Sequence, residues 1–176
     1  PLAPGTCYTA TSDGDKVSLV KVEVITMPGN GKLTITGSTS TDAKEDIKNT
    51  YNYIRANERA ILSQGHSLIH VDVTVQVTTL LGVSVHKGIG GAVFAGIVSS
   101  IFGRNLKSGL GVIGNISIGG AIERALNFND RVSMLSENGA KNVLVPMDNL
   151  AEMATLPATI KKKTDIPFYA NTQMLI

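Results

Sequence analysis

Four residues, Gly88-Ile89-Gly90-Gly91, stand where a β-branched run gives way to an apolar segment of helical periodicity, within Val83 to Arg104. A strand, a glycine turn and a helix N-terminus leave the first N–H groups of the helix unpaired and facing outward. Such a junction could hold a carboxylate or a phosphate, or stabilise charge that develops in a reaction. Other chemistry finds less support. His66, His70 and His86 show no HExxH or other ligand spacing, and no cysteine pair joins them, so no metal site is expected. Gly29-Asn30-Gly31-Lys32 lacks the GxxxxGK[ST] spacing of a phosphate loop, with Leu33 where a Mg²⁺-binding hydroxyl belongs. The glycine run is not GxGxxG, and no acidic residue is placed about 20 residues on to hold a ribose.

The 176 residues are enough for one domain with a substantial core. Hydrophobic residues make up 43% and charged residues 17%, a globular balance rather than a disordered one. Aromatics are only 5% and Trp is absent, so the core must be built from Val, Ile, Leu, Ala and close-packed Gly. A net charge of +2 does not advertise nucleic-acid binding. The one basic run, Lys161-Lys162-Lys163, reads as a solvated turn. Cys7 stands alone, which excludes an intramolecular disulfide and fits a reducing cytosol. No apolar run reaches membrane-spanning length and no signal peptide opens the chain, so the expected location is cytoplasmic. Pro1 to Gly5 lacks an initiator Met and reads as a linker, with residues 6–176 as one domain of a longer polypeptide.

The elements that would position the junction follow from periodicity. Thr6 to Ser12 and Val17 to Thr26 read as a hairpin turning at Asp13-Gly14-Asp15, and Lys32 to Thr36 as a third strand after the Pro28–Gly31 turn. Both faces of the second strand carry apolar residues, so it is expected to be covered on both sides. Asp42 with Glu45 suggests a capping box opening a helix to Leu62, closed by Gly65. Its buried stripe is Ile47, Tyr51, Ile54 and Ile61, interrupted by Glu58, whose carboxylate must reach outward or find a partner. His70 to Thr78 alternates as a strand with one polar face, and Ile89 to Phe102 is a helix closed by Gly103. Gly111 to Ile118 reads as a strand that turns at Gly119-Gly120 into a partner, Ala121 to Ala125. A helix over Asn129–Asn138, a strand over Asn142–Pro146, a helical turn over Asp148–Met153 and a strand over Ile166–Ala170 complete the chain. The sum is an α+β fold, a mixed α/β sandwich with a partly parallel sheet and right-handed crossovers.

Several phrases, in order along nearly the whole chain, resemble the proteolytic domain of Lon proteases. They are Pro4-Gly5-Thr6, Met27-Pro28-Gly29-Asn30-Gly31-Lys32-Leu33-Thr34-Ile35-Thr36-Gly37, the helix from Asp42, and Gly103-Arg104. Val112 to Gly120 (VIGNISIGG) and Gly139 to Pro146 (GAKNVLVP) follow. The nearest flavour is the degenerate Lon-like C-terminal domain of AAA+ proteins of BREX phage-defence systems. The resemblance implies the Lon proteolytic fold, similar to the ribosomal protein S5 domain 2-like fold.

Lon peptidases use a Ser–Lys dyad, in which a lysine kept neutral by burial takes the serine's proton. Counting back from Gly103-Arg104 places Gly88 at the serine; counting from Gly120 and from Gly139 places Asn129 at the lysine. Glycine offers no nucleophile and asparagine no titratable base. The resemblance therefore implies a domain that has lost its dyad and serves a homo-oligomeric ring, expected to be a hexamer. ATP and Mg²⁺ would bind an upstream AAA+ module, and DNA would be touched only by other domains. Two alternatives stand beside it. One is a working ATP-dependent serine endopeptidase on polypeptide substrates, with Ser84 or Lys87 in a shifted dyad. The other is anion or peptide binding at Gly88, Ile89, Gly90 and Gly91.

Overall fold

The computed structural model describes residues 3–14, 16–37, 39–63, 65–79 and 85–176. Ser84, Asp15 and the start at Pro1-Leu2 lie outside the described residues. Seven strands form the main sheet in the order β3-β4-β2-β1-β5-β8-β9. They are β1 (Thr6–Asp13), β2 (Lys16–Pro28), β3 (Leu33–Gly37), β4 (Val71–Thr79), β5 (Leu110–Val112), β8 (Asn142–Pro146) and β9 (Phe168–Tyr169). β1–β2 and β2–β4 pair antiparallel, and the other four pairings are parallel. A separate two-stranded hairpin holds β6 (Asn115–Ile116) and β7 (Ile122–Glu123). The α+β sandwich read from the sequence is the architecture observed.

Strand alternation sends side chains to two cores. On one face Cys7, Val20, Val22, Val24, Val73, Val75 and Val77 meet α1 (Thr41–Ala56) and α3 (Gly90–Phe102). On the other, Ala10, Leu19, Val143 and Val145 meet α4 (Phe128–Glu137) and α5 (Ala158–Lys163). β2 is thus covered on both sides only along its first half; Ile25 and Met27 emerge into solvent. α3 is the central element: Gly90 through Ser99 are all buried, which is why it is apolar all round rather than amphipathic. Each fully buried Ile or Phe contributes about 1.5–3 kcal/mol over its exposed state, and Phe94, Ile97 and Ile89 are all wholly enclosed.

The first helix departs from its sequence reading at both ends. Its cap is Ser40, whose Oγ accepts from the Ala43 N–H, so Asp42 lies in the first turn and forms no capping box. The chain then breaks at Asn57, and a short α2 (Glu58–Ile61) finishes the run. Glu58 does find its partner: its carboxylate accepts from Ser67 Oγ at 2.9 Å and from the Leu68 N–H at 3.1 Å. The strand expected over Gly111–Ile118 is split at Ile113-Gly114, where Gly114 has φ +115, and its second half turns away into the β6–β7 hairpin. Asp148–Met153 widens to a 3₁₀ segment, Met147–Thr155. Lys161–Lys163 belong to α5, anchored by the buried Ile160, rather than to a turn. Gly5 is already engaged, donating to Ser99 Oγ and accepting from the Val24 N–H.

The turn at Gly29–Lys32 is closed by a carboxylate of the chain itself. Asp72 Oδ1 accepts from the N–H groups of Asn30 and Lys32, both at 3.0 Å, filling the place an anion would take. Those N–H groups hold the Asp72 carboxyl below the usual carboxylate range. Among the described residues no group of His, Cys, Asp and Glu could hold a metal ion, and no helix is long and apolar enough to cross a membrane.

Candidate functional site

The junction reaches α3 through Val85, which is buried and bridges Thr39, and then through His86, Lys87, Gly88 and the wholly buried Ile89. Gly88 has φ +97, a conformation that favours glycine. Its peptide is gripped from both sides. The Gly88 N–H donates to Asp46 Oδ2 at 2.6 Å, and the Gly88 carbonyl accepts from Arg131 Nη2 at 2.8 Å. Asp46 comes from α1, one residue before the stripe residue Ile47, and is itself buried. Arg131 comes from α4 and is 2% exposed. Its Nε donates to the Ala10 carbonyl at 2.8 Å and its Nη1 to the Leu126 carbonyl at 3.3 Å. One guanidinium therefore ties β1, the approach to α4 and the junction together.

Asn115 completes the group. Its Nδ2 donates to Asp46 Oδ1 at 3.0 Å and to Glu123 Oε1 at 3.1 Å, while its Oδ1 accepts from the Gly90 N–H at 2.9 Å. The Gly91 N–H donates to the Gly114 carbonyl at 3.0 Å. The amides of Gly88, Gly90 and Gly91 are thus already engaged by protein oxygens, and Ile89 plugs the turn. The expectation that these residues offer free donors to an anion or peptide does not match this geometry: Asp46, Asn115 and Gly114 occupy the ligand's place. A Cβ on Gly90 would collide with Asn115 Oδ1, so this position of the turn requires glycine.

Asn129 does not face Gly88. Its Nδ2 donates to Thr155 Oγ1 at 2.9 Å, toward the 3₁₀ segment. The α4 residue that reaches Gly88 is Arg131, two positions further along. Lys87 is exposed beside the junction, and Ser84 lies outside the described residues. Arg131, Asp46 and Asn115 are the residues that motif counting missed. A signal for Arg131 was available, because Phe128, Arg131, Val132 and Leu135 fall on one helical stripe whose other members are apolar.

Burial sets the electrostatics. It pulls the Arg131 guanidinium down to about 10, which still leaves it charged at neutral pH. Tyr169 and Asp46 both act to keep it protonated; the Tyr169 phenol is pushed up by burial and is neutral at that pH, so Asp46 is the anion that counts. The Asp46 carboxyl is raised chiefly by burial, against the pull of the Gly88 N–H and the Asn115 amide, with Glu123 adding to the rise. A raised carboxyl has a definite consequence. Between the unfolded and the folded value the folded chain holds the extra proton, so this group's contribution makes stability fall as pH rises through that window, and level off above it. Relative to Asp46→Asn, the parent should lose stability across the carboxylate range as pH rises, measured by urea midpoints; a relative gain would contradict the assignment.

Above the group lies an open cleft of about 880 Å³, whose walls include Asp13, Glu45, Lys87, Glu123, Leu126 and Asn127 and whose floor includes Asp46, Gly88 and Arg131. Chemically the floor can hold a backbone segment in place. Among its described residues it presents neither a hydroxyl at Gly88 nor a neutral amine opposite it.

The fold is a mixed α/β sandwich with a glycine junction leading into α3 at the floor of a cleft, faced by α4 from the far side of the sheet. The chain matches the Lon protease (S16) C-terminal proteolytic domain over residues 3–176, and it belongs to that family. It is similar to the Lon-like protease BrxL of Bacillus cereus (strain H3081.97), 29% identical over 172 residues covering 97% of this chain and 25% of that protein. It is similar also to the BrxL of Escherichia coli O9:H4 (strain HS), at 24% over 96% of this chain and 24% of the relative. With the Lon protease of Halothermothrix orenii (strain H 168 / OCM 544 / DSM 9562) the identity is 26%, over 95% of this chain and 21% of the relative. The chain spans about a quarter of the length of these relatives.

Proposed function

We propose that this chain is a Lon-type domain that does not cut peptides and acts as a structural unit of a longer, ring-forming protein. The observation that carries the reading is the grip on Gly88: an N–H held by Asp46 and a carbonyl held by Arg131, at the position the family resemblance assigns to the nucleophile. A serine nucleophile needs a hydroxyl and a group able to take its proton. Here the facing group is a guanidinium, which has no lone pair to accept one while charged. The same contacts that remove the chemistry stiffen the junction, which suits a scaffold.

The likeness to BrxL proteins supports placing the whole protein in phage defence, as a homo-oligomeric and hexameric cytoplasmic ring. ATP and Mg²⁺ would then be handled by an upstream AAA+ module, and DNA by portions outside this chain. The test is an active-site-directed fluorophosphonate applied to the full-length protein. No covalent adduct is expected. An adduct that Ser84→Ala removes would establish instead an endopeptidase with a shifted dyad.

A further inference from the structure

The two ends of the sandwich differ in charge. The cleft lies where β1 and β5 finish, among Ser12, Asp13 and Gly114. At the opposite end β1, β5 and β8 begin side by side, with Tyr8 paired to Gly111 and Leu110 to Asn142. The Lys141 N–H donates to the Gly109 carbonyl at 2.8 Å, and the Lys141 carbonyl accepts from the Asp165 N–H at 2.9 Å. Thr164 closes α5 and donates through Oγ1 to the Ala140 carbonyl at 3.1 Å. Three segments, 104–109, 139–142 and 160–165, therefore meet at this end.

Between them they carry Arg104, Lys107, Lys141, Lys161, Lys162 and Lys163, all exposed. Their one acid is Asp165, with Glu137 just ahead of the second segment. The whole chain nets only +2, so the rest of the molecule is negative against this end. Among the described residues the ion pairs are Lys21–Glu23, His86–Asp13 and Arg124–Glu152, and none uses these six cations. Lysines in the last turn of α5 suit the negative end of a helix. That accounts for neither Arg104, Lys107 nor Lys141, which stand on loops. Like charges gathered from three segments repel one another unless a counter-charge meets them.

The chain also enters at this end. The Gly5 N–H donates to Ser99 Oγ at 2.9 Å, and the Gly5 carbonyl accepts from the Val24 N–H at 2.9 Å. Gly5 has φ +87, and a Cβ there would lie 2.1 Å from the Val24 oxygen, so the position requires glycine and the direction of entry is set. Ser99 Oγ donates in turn to the Arg104 carbonyl, so the entry and the first cation share one anchor. The matched family domain is a C-terminal one, and the chain spans about a quarter of its relatives. In a longer protein of this kind, what precedes residue 3 emerges beside the cations.

We propose that this basic end is the docking surface for the preceding portion of the same polypeptide, which meets it with an acidic face. The proposal rests on reading the chain as one unit of a longer protein, and is independent of whether the cleft cuts peptides. None of the exposed large apolar side chains belongs to the three segments, so the attachment is electrostatic and weakens with salt.

The test uses the full-length protein, with lysine acetylation and zero-length carbodiimide coupling both followed residue by residue by mass spectrometry. In the variant Lys161→Glu, Lys162→Glu, Lys163→Glu, Lys107 and Lys141 should acetylate about tenfold faster than in the parent, as expected when a docked fraction of about nine-tenths is released. Local electrostatics alone would slow them, because added carboxylates keep an ammonium protonated. Coupling in the parent should join these lysines to Asp or Glu residues that precede Pro1. Unchanged or slower acetylation in the variant would overturn the docking surface. So would coupling only to Asp42 or Glu45 of a second copy, or protection that appears only when a DNA duplex is added. A failure here leaves the non-cleaving reading intact, since that is decided by the fluorophosphonate adduct, and an adduct would leave this pattern unchanged.

Discussion

Replacing Arg131 by alanine is expected to destabilise the domain by about 3–5 kcal/mol, the scale of breaking a buried charged network. The guanidinium is 2% exposed and serves three carbonyls, those of Ala10, Leu126 and Gly88. Each buried acceptor left unpaired costs about 1–3 kcal/mol. Arg131→Lys should recover only part of the loss, because an ammonium on a flexible stem cannot reproduce a fork that reaches three elements at once. The contributions of Asp46 and Arg131 meet at one peptide group, so a double-mutant cycle between them should be strongly non-additive. Denaturant unfolding of the four proteins measures this. A loss below about 1 kcal/mol for Arg131→Ala would mean that the three carbonyls find other partners and that the grip on Gly88 is incidental.

The second large effect concerns Gly88 itself. Restoring a serine there should fail to create a peptidase and should cost about 1–3 kcal/mol of stability. At φ +97 a side chain is strained wherever it has room, and left-handed backbone costs a residue with a Cβ roughly 1–2 kcal/mol. Room is also tight: a Cβ would lie 3.3 Å from Arg131 Nη2, so the guanidinium would have to shift by a few tenths of an ångström. Even a well-placed hydroxyl would face a guanidinium that stays protonated at neutral pH and cannot act as a general base. Gly88→Ala should show the same stability loss, which separates backbone strain from any effect of the hydroxyl. Turnover of a peptide substrate by Gly88→Ser would show that only the nucleophile had been lost, and that the surroundings had not been rebuilt.

Much of the frame was legible because it is written in periodicity. The alternation of Val71, Val73, Val75 and Val77 against polar neighbours marks β4, and the stripe of Ile47, Tyr51 and Ile54 marks α1. The glycine junction ahead of α3 was legible as a turn before a helix, but its place at the floor of a cleft was not. What lay hidden depends on contacts between residues distant in sequence. Asp46 reads as an ordinary polar residue beside a helix stripe until Gly88, 42 positions away, is brought to it. The break at Gly114 follows from the β6–β7 hairpin leaving the main sheet, which a run such as GVIGNISI does not disclose. Counting between motifs arrived at Asn129, whereas the fold turns Arg131 inward, because helix phase decides which side chain faces the sheet. An arginine on the otherwise apolar stripe of Phe128, Val132 and Leu135 was the sequence mark of that position. Ser40 displaced Asp42 as the helix cap for a local reason, since both can cap and the backbone at Ser40 is the extended one.

The central claim is that the junction holds structure and performs no peptide cleavage. Its most direct test is incubation of the full-length protein with ATP, Mg²⁺ and an unfolded polypeptide, with products followed by mass spectrometry. The expected result is an intact substrate, with fragment levels no higher than in the protein-free control. Discrete fragments that accumulate with time, and that disappear when Ser84 is replaced by alanine, would contradict it.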